Sequence, residues 1–402
     1  MRLCSVLRPG QMAPHASLKL ARCTDMADIN RIDFTIERRV LLPALSAANR
    51  IIEKRNNVPI LSHALVKPDN GKLTVTGTNI DVEVRAQAQQ PGIPDFQPFA
   101  VPSALLYGAV SKLPDGCEIE FTRENNTVAL RAGRSRLQLP ILPAEDFPAV
   151  TEDGFTHSFR LPASALARIL TTVGFAVSTE ESRYYLNGIF MHPDADQLAF
   201  TATDGHQFSH MKIPAPDGCA DMPGVIIPRG IINLLLHCAK AEGDVEISLS
   251  DRKIRAAFQD GVTVTSRLVD GTFPDYRRII PSGNNRHYHV DREVLQAAVS
   301  RVSLVVGERS EGIRFAFGND DVRLELDNPL AGKMEEAVSL SESYPEETLI
   351  NLNYRYCNNV LGATDAAEMR FALDSATSPC LISPVTDPEA GEPPIFIIMP
   401  MR

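Results

Sequence analysis

The sequence predicts an α+β fold of three tandem, similar domains, each built from two βαβββ half-units. Three observations carry that expectation. Three stretches lie over one another without a gap, about 125 residues apart: LSHALVKPDNGKLTVTGTN (Leu61 to Asn79), LNGIFMHPDADQLAFTATD (Leu186 to Asp204) and SEGIRFAFGNDDVRLELDN (Ser310 to Asn328). Each reads as strand, short turn, strand, because apolar residues alternate and Asp, Asn or Gly breaks the run. The segments ahead of them also match. FTIERRVLLPALSAANRII, FRLPASALARILTTVGFAV and YHVDREVLQAAVSRVSLVV each give a brief strand and then Leu and Val at i, i+3, i+4 and i+7 of a helix. A second unit of helix, turn and strand follows each copy: VPSALLYGAVSKLPDGCEIEF, IPRGIINLLLHCAKAEGDVEISL and LNYRYCNNVLGATDAAEMRFAL.

Solenoid repeats have periods of roughly 20–50 residues, so a period near 125 means tandem domains instead. Antiparallel strands joined by short turns build the sheets, and two helices per domain cover one face. Domains are expected at 31–152, 156–281 and 284–402, after an extension over 1–30. The joints fall at DFPAVTEDGF (Asp146 to Phe155) and IIPSGNN (Ile279 to Asn285), where Pro and Gly interrupt the pattern.

Along the chain, residues 1–25 carry Arg2, Arg8, Lys19 and Arg22 and no acid before Asp25. They are expected to be a disordered extension, or to precede a true start at Met26; a transit-type leader is the alternative, and a secretory signal would need a longer apolar centre. Helices are expected at 38–54, 102–113, 162–177, 228–241, 291–306 and 353–364. They hold eleven basic and three acidic residues, a net +8 that leaves −18 for the rest of a chain whose total is −10. A net negative chain alone argues against nucleic acid as partner. Six basic helices point instead to one shared surface facing a polyanion, with acidic sheets outside; the plainer reading is solubility decoration. The chain ends on IFIIMPMR, whose IFIIMPM corresponds to SRLQLPIL (Ser135 to Leu142) and VTVTSRL (Val262 to Leu268) and so reads as the last strand of the third domain. Pro400 cannot donate to a ladder there.

No apolar run approaches the roughly 18 residues that span a bilayer. The seven cysteines are scattered, without a CxxC or Cys/His cluster, which suggests idle or buried thiols in a reducing cytosol.

The motifs RYYLNGIF (Arg183 to Phe190), ATDGHQF (Ala202 to Phe208), LVDGTFPDYRRIIP (Leu268 to Pro281) and IIMPMR (Ile397 to Arg402), in this order on a threefold repeat, resemble the bacterial DNA polymerase III beta subunit family, the sliding clamps. The similarity runs from about Asn30 to the last residue. It implies the DNA clamp fold and a cytoplasmic head-to-tail homodimer of six domains around a hole lined by helices. The family's role is to encircle double-stranded DNA without sequence preference and hold the replicative polymerase for processive synthesis. The implied partners are the polymerase III alpha subunit, the clamp loader, other polymerases and repair factors, bound through short linear motifs. No membrane, cofactor, metal or catalytic residue is implied.

By matching position, the resemblance places DNA contacts at Arg55, Tyr184 and Tyr185, with packing as the plainer reading for the tyrosines. It places a partner-peptide groove between the second and third domains. The residues are Leu186, Thr203, Gly205, His206, Phe208, Pro274, Arg278, Ile279, Asn351, Tyr354 and Ser378, with the tail Ile397, Ile398, Met399, Pro400, Met401 and Arg402. Met suits such a role because its flexible thioether adapts to varied partners. The sequence departs from the family pattern at Ala104 and Gln207, where basic residues are frequent, and at Ser310, where an aromatic can stand.

Two rival readings have different consequences. Asp204, His206 and His210 could ligate zinc if the two His shared a helix face, but DGHQFSHMKI reads as turn and then strand, and no HExxH, GxSxG or P-loop occurs. His287 and His289 alternate on a predicted strand, where exposure is the simpler reading. The other rival is a repeat scaffold that never encircles DNA.

Overall fold

The computed structural model describes residues 33–53, 56–148, 154–307, 312–387 and 391–401. Each domain folds as strand, helix and three strands, twice over. The helices are α1 (Arg38–Asn49), α2 (Ser103–Ser111), α3 (Ala163–Gly174), α4 (Arg229–Cys238), α5 (Arg292–Val302) and α6 (Tyr354–Gly362). All six are shorter than the apolar spacing suggests. Apolar periodicity runs on past the last helical turn, as at Ile51 and Ile52, where the chain has already entered a turn.

Helix starts follow one scheme with local variations. Pro102, Pro162 and Pro228 stand at the N-caps of α2, α3 and α4. In the third domain Asp291 and Asn353 accept from the amides of Val294 and Arg355, satisfying donors that a helix start leaves open. The first residue of the leading helix donates its N–H to the turn before the matching strand in every domain: Arg38 to Cys117 (3.0 Å), Ala163 to Gly243 (2.9 Å) and Arg292 to Ala367 (2.9 Å). The two helices of each domain then lie side by side over the sheets.

The sheets run through the joints between domains. The fourth strand of the first domain, Val82–Ala88, pairs antiparallel with the last strand of the second, Val262–Arg267, with Val84 opposite Val264. The fourth strand of the second domain, Gln207–Pro214, pairs in the same way with the last strand of the third, Ile395–Ile398, with Phe208 opposite Ile397. One apolar core fills the first two domains and another the third. A small cluster of Leu186, Phe208, Ile226, Phe273, Tyr276 and Ile397 sits at the second joint.

Among the described residues the cysteines are free, four of them buried and Cys117 half-buried. Burial pushes the Cys238 thiol up to about 12, so it stays a packed, unreactive group.

Candidate partner groove at the joint between the second and third domains

The expected groove residues converge on the second joint, and they divide into a buried floor and an exposed rim. Leu186, Phe208 and Ile397 form the floor, each almost wholly covered within one cluster. Ile279, Met399 and Met401 form the apolar rim, at 37%, 38% and 36% exposure. Exposed apolar groups beside a polar rim are the usual mark of a binding surface.

Strand alternation corrects one residue. Ile398 was expected in the groove, but successive side chains on a strand face opposite ways. Ile397 therefore enters the groove cluster while Ile398 is buried in the core of the third domain. Ile398 serves the site through its backbone, opposite Gln207 on one side and Cys380 on the other.

The tail bridges both domains. The amide of Met399 donates to the His206 carbonyl (2.8 Å) and that of Met401 to the Asn351 carbonyl (2.8 Å). Pro400 lies between the two, where no donor is needed, so the proline that looked wrong for a strand sits at the crossing point. Met401 Sδ would lie 3.2 Å from a Cβ added at Gly312, so the tail leaves little room there.

The turn ahead of Gln207 is fixed by its sequence. Asp204 Oδ1 accepts from the amides of His206 (2.8 Å) and Gln207 (2.9 Å), an Asx turn. Gly205 adopts φ +93, the left-handed region that favours glycine. Thr203 Oγ1 donates to the Gln207 carbonyl and accepts from the Gly205 amide. His206 is exposed and faces the Tyr356 ring at 6.4 Å. Gln207 ties the domains together: its Nε2 donates to Asp204 Oδ2 (2.9 Å), and its Oε1 accepts from Asn359 (3.2 Å).

Pro274, Arg278 and Ile279 belong to a wall segment held from behind. Phe273 stacks on Phe190 at 4.9 Å, and Tyr276 is buried against His192 and His210. Arg278 is exposed and paired with Asp275 (3.0 Å). Tyr354 opens α6 beside Asn353, which faces Gly312 across the adjoining strands. Ser378 occupies the turn before Cys380 and bonds to Asp374 and Ser375. The anchors Phe190, Phe273, Tyr276, His192 and His210 went unnamed in the groove reading. The signal was present in FPDYRRII, where Phe273 and Tyr276 are the buried positions between exposed ones.

The zinc alternative does not assemble. His206 lies in the turn, whereas His210 is buried on the strand with Nδ1 2.8 Å from Thr201 Oγ1, and no metal-competent cluster occurs among the described residues. His287 is exposed, and its Nε2 lies 3.1 Å from the Asn284 carbonyl. His289 is half-buried, near Glu342 and Glu368.

Of the expected DNA contacts, Tyr184 is 54% exposed. Tyr185 is half-buried against the groove cluster and meets Tyr184 edge-on at 5.8 Å. Arg55 and Arg402 lie outside the described residues. The basic helices also need a correction. Within their observed bounds they hold seven basic residues and one acid, and α2 carries no charge at all. The side chains of Arg38 and Arg292 turn inward to the neighbouring helix, at 14% and 13% exposure. Arg168 stands exposed on α3.

The two halves of the groove come from different domains, and family models for the central and C-terminal domains of the DNA polymerase III beta subunit match residues 160–275 and 277–402. The N-terminal model matches 32–151. The chain belongs to the DNA polymerase III beta subunit family. The beta sliding clamp of Caulobacter vibrioides is 34% identical over 380 residues, covering 92% of this chain and 99% of the relative. The beta sliding clamp of Escherichia coli K12 is 30% identical over 375 residues, with the same coverage. The crystal structure of the Bartonella birtlesii sliding clamp bound to griselimycin superposes with a TM-score of 0.88 at 36% identity, over 93% of this chain and all of that one. No helix among the described residues of this clamp family member is long and apolar enough to cross a membrane.

Proposed function

We propose that two copies of this chain join head to tail into a ring that encircles duplex DNA and tethers DNA polymerase and other partners to it. The observation that carries the reading is the rule followed by the two joints. In each, the fourth strand of one domain pairs with the last strand of the second half-unit of the next. One such pair of strands is left over: Ser135–Pro140, which closes the second half-unit of the first domain, and Gly332–Glu342, the fourth strand of the third. Among the described residues, Ser135–Pro140 pairs only with Thr127–Ala132. Gly332–Glu342 pairs over 332–339 with Asp321–Asn328, and among the described residues its other edge meets a partner only at Leu340 and Glu342. A second copy supplies what each edge lacks, and two such joints close a ring.

Arg136 lies on the first edge strand and Arg134 in the turn before it, and Lys333, Glu335, Glu336 and Glu342 lie along the second. Leu304, 78% exposed just beyond α5, flanks the second edge. A 240 Å³ cavity between Val110, Leu113, Leu130 and Leu137 flanks the first, and it receives Leu304 of the other copy.

Threading makes tight binding unnecessary. Exposed cations such as Arg168 meet phosphates wherever the ring stands, which gives a salt-dependent attraction indifferent to sequence. A partner docked in the groove gains effective concentration at its template. The groove takes short segments whose apolar side chains cover Ile279, Met399 and Met401. The role is topological, and no chemical step is assigned to the chain.

The test is retention on DNA. After loading, the protein stays on nicked circular DNA and is lost when the circle is linearised. Equal retention on both forms overturns encirclement.

A further inference from the structure

We propose that the outer edge of strand Thr348–Asn353, in the third domain, takes an extended flank of the partner segment that occupies the groove, with an aromatic side chain of that flank laid over Arg314. The proposal rests on the groove reading above and carries the docking surface past the rim onto the third-domain sheet.

The other two domains show what such an edge receives. The strand that leads into the second helix of each domain is Phe99–Pro102, Val225–Pro228 or Thr348–Asn353. Each lies at the end of its sheet, apart from the segment of chain that returns to it. That segment leaves the strand closing the second half-unit and meets the edge at one matching residue in every domain. Leu142 stands opposite Ala100. The amide of Val269 donates to the Ile226 carbonyl (3.0 Å), and that of Met401 to the Asn351 carbonyl (2.8 Å). In the first two domains the chain runs on and buries a phenylalanine followed by a proline, Phe147 with Pro148 and Phe273 with Pro274. In the third, Met401 is the last described residue. Among the described residues, Thr348–Asn353 pairs with a strand on one side only, Gly312–Phe317.

The backbone of that edge is set for pairing. Both polar groups of a strand residue point to one side, and those of the residue two along point the same way. Asn351 turns its carbonyl toward Met401, so Leu349 turns its N–H and C=O to the same edge. A row of such groups is a template for an added strand. The Leu349 side chain is 37% exposed. Ala316 stands opposite it and Arg314 opposite Asn351. A 140 Å³ hollow lies among Leu349, Ala316, Arg314, Glu325 and Glu347.

Arg314 marks the place of the aromatic. Gly312, Ile313 and Arg314 repeat Gly188, Ile189 and Phe190, and Phe190 is the ring on which Phe273 stacks at 4.9 Å. The third domain offers a guanidinium where the second offers a ring. Its carboxylate neighbour Glu325 is 3.8 Å away and is held by Lys333 at 2.6 Å, so Arg314, with a side chain 54% exposed, is loosely paired. A guanidinium plane stacks on an aromatic face.

The experiment measures binding of the cognate polymerase III alpha subunit to full-length wild type, Leu349→Pro, Arg314→Ala, Arg314→Lys and Met399→Asp by surface plasmon resonance. It also follows amide exchange at Leu349 with and without the alpha subunit. Proline is tolerated on an edge strand whose N–H faces outward, so Leu349→Pro should keep its far-UV circular dichroism and lose only the edge donor. Wild-type exchange at Leu349 is expected to slow at least tenfold in the complex. Leu349→Pro should weaken binding about tenfold, the size of one or two hydrogen bonds. Arg314→Ala should weaken it about threefold, with Lys recovering part. Unchanged exchange at Leu349 in the complex, or wild-type affinity in Leu349→Pro, overturns the edge. Wild-type affinity in Arg314→Ala overturns the aromatic contact. Protection of Leu349 that rises with protein concentration before the alpha subunit is added places a second copy there and also overturns the proposal. Met399→Asp tests the groove itself. Wild-type affinity in that variant counts against the groove reading, whereas its loss beside wild-type affinity in Leu349→Pro leaves the groove standing and removes the edge.

Discussion

At the scale of single residues, the second joint is governed by what burial does to polar groups. His210 is the clearest case. Burial first, then the nearby cation Lys212, His192 and Arg277, lower its pKa from 6.5 to about 4, with Asp194 opposing. The folded value lies below the unfolded one, so the unfolded chain binds the extra proton more readily between those pH values. The stability held by the neutral ring is fully present above about pH 6.5 and lost as pH falls toward 4. That interval corresponds to roughly 3 kcal/mol. His210→Gln should therefore flatten the pH dependence of the urea midpoint between pH 7 and 4 by about that amount, and parallel profiles for variant and wild type would refute the assignment. The sequence could not separate this role from metal binding, because HxxxH fixes a spacing and not a face. The Asx turn at Asp204 lifts His206 out to solvent, while the strand that begins at Gln207 carries His210 inward.

At the scale of elements, helix pairs are locked by arginines that the charge count reads as surface. Arg292 Nε donates to the Ala366 carbonyl (2.7 Å) and Nη1 to that of Leu361 (3.3 Å), at the end of α6. Arg38 does the same for α2, through Val110 and Ser111, both at 3.0 Å. Each guanidinium satisfies carbonyls that a helix end leaves open and sits at the negative end of the helix dipole. Hydrogen bonds to charged groups are worth about 1.5–3 kcal/mol, so Arg38→Ala and Arg292→Ala should each destabilise by about that much in urea unfolding. Lys should not restore it, because one ammonium cannot reproduce the fork. The second domain has Ala163 at the equivalent position, so α4 ends without this lock. Apolar periodicity made the order and type of the elements legible, down to the two half-units per domain. It left the helix ends open, because Ile51 and Ile52 keep the apolar spacing after the helix has stopped. It also left the direction of Arg38 and Arg292 open, since a residue's charge does not say which neighbour it reaches. The motifs named the exposed residues at the second joint. The buried residues behind them were not legible, because the contacts of Tyr276 with His192 join residues 84 positions apart.

At the scale of the whole molecule, the question is how two unused strand edges and one exposed leucine are accommodated. Long edges with free backbone donors and acceptors invite pairing, and an isolated chain would leave both Ser135–Pro140 and Gly332–Glu342 open. Leu304 would also stay in water beside one of them, and burying such a side chain is worth about 1.5–3 kcal/mol. In the proposed ring, head-to-tail closure would use both edges and fill the cavity by Leu113 and Leu137 in the same step. Because a two-fold dimer makes the joint twice, one substitution acts at both sites. Leu304→Asp removes the apolar side chain and puts a carboxylate, which must be desolvated, into each cavity among Val110, Leu113, Leu130 and Leu137 with Lys112 and Arg136 also lining it, a cost that a surface position in a monomer would not incur. The expected result is a shift in light scattering from twice 44.0 kDa toward 44.0 kDa, with far-UV circular dichroism unchanged because Leu304 is exposed in the single chain. Retention on nicked circles should fall with the dimer, while amide protection at the second joint, built within one chain, should survive. A Leu304→Asp protein that remains a dimer would place the closing joint elsewhere.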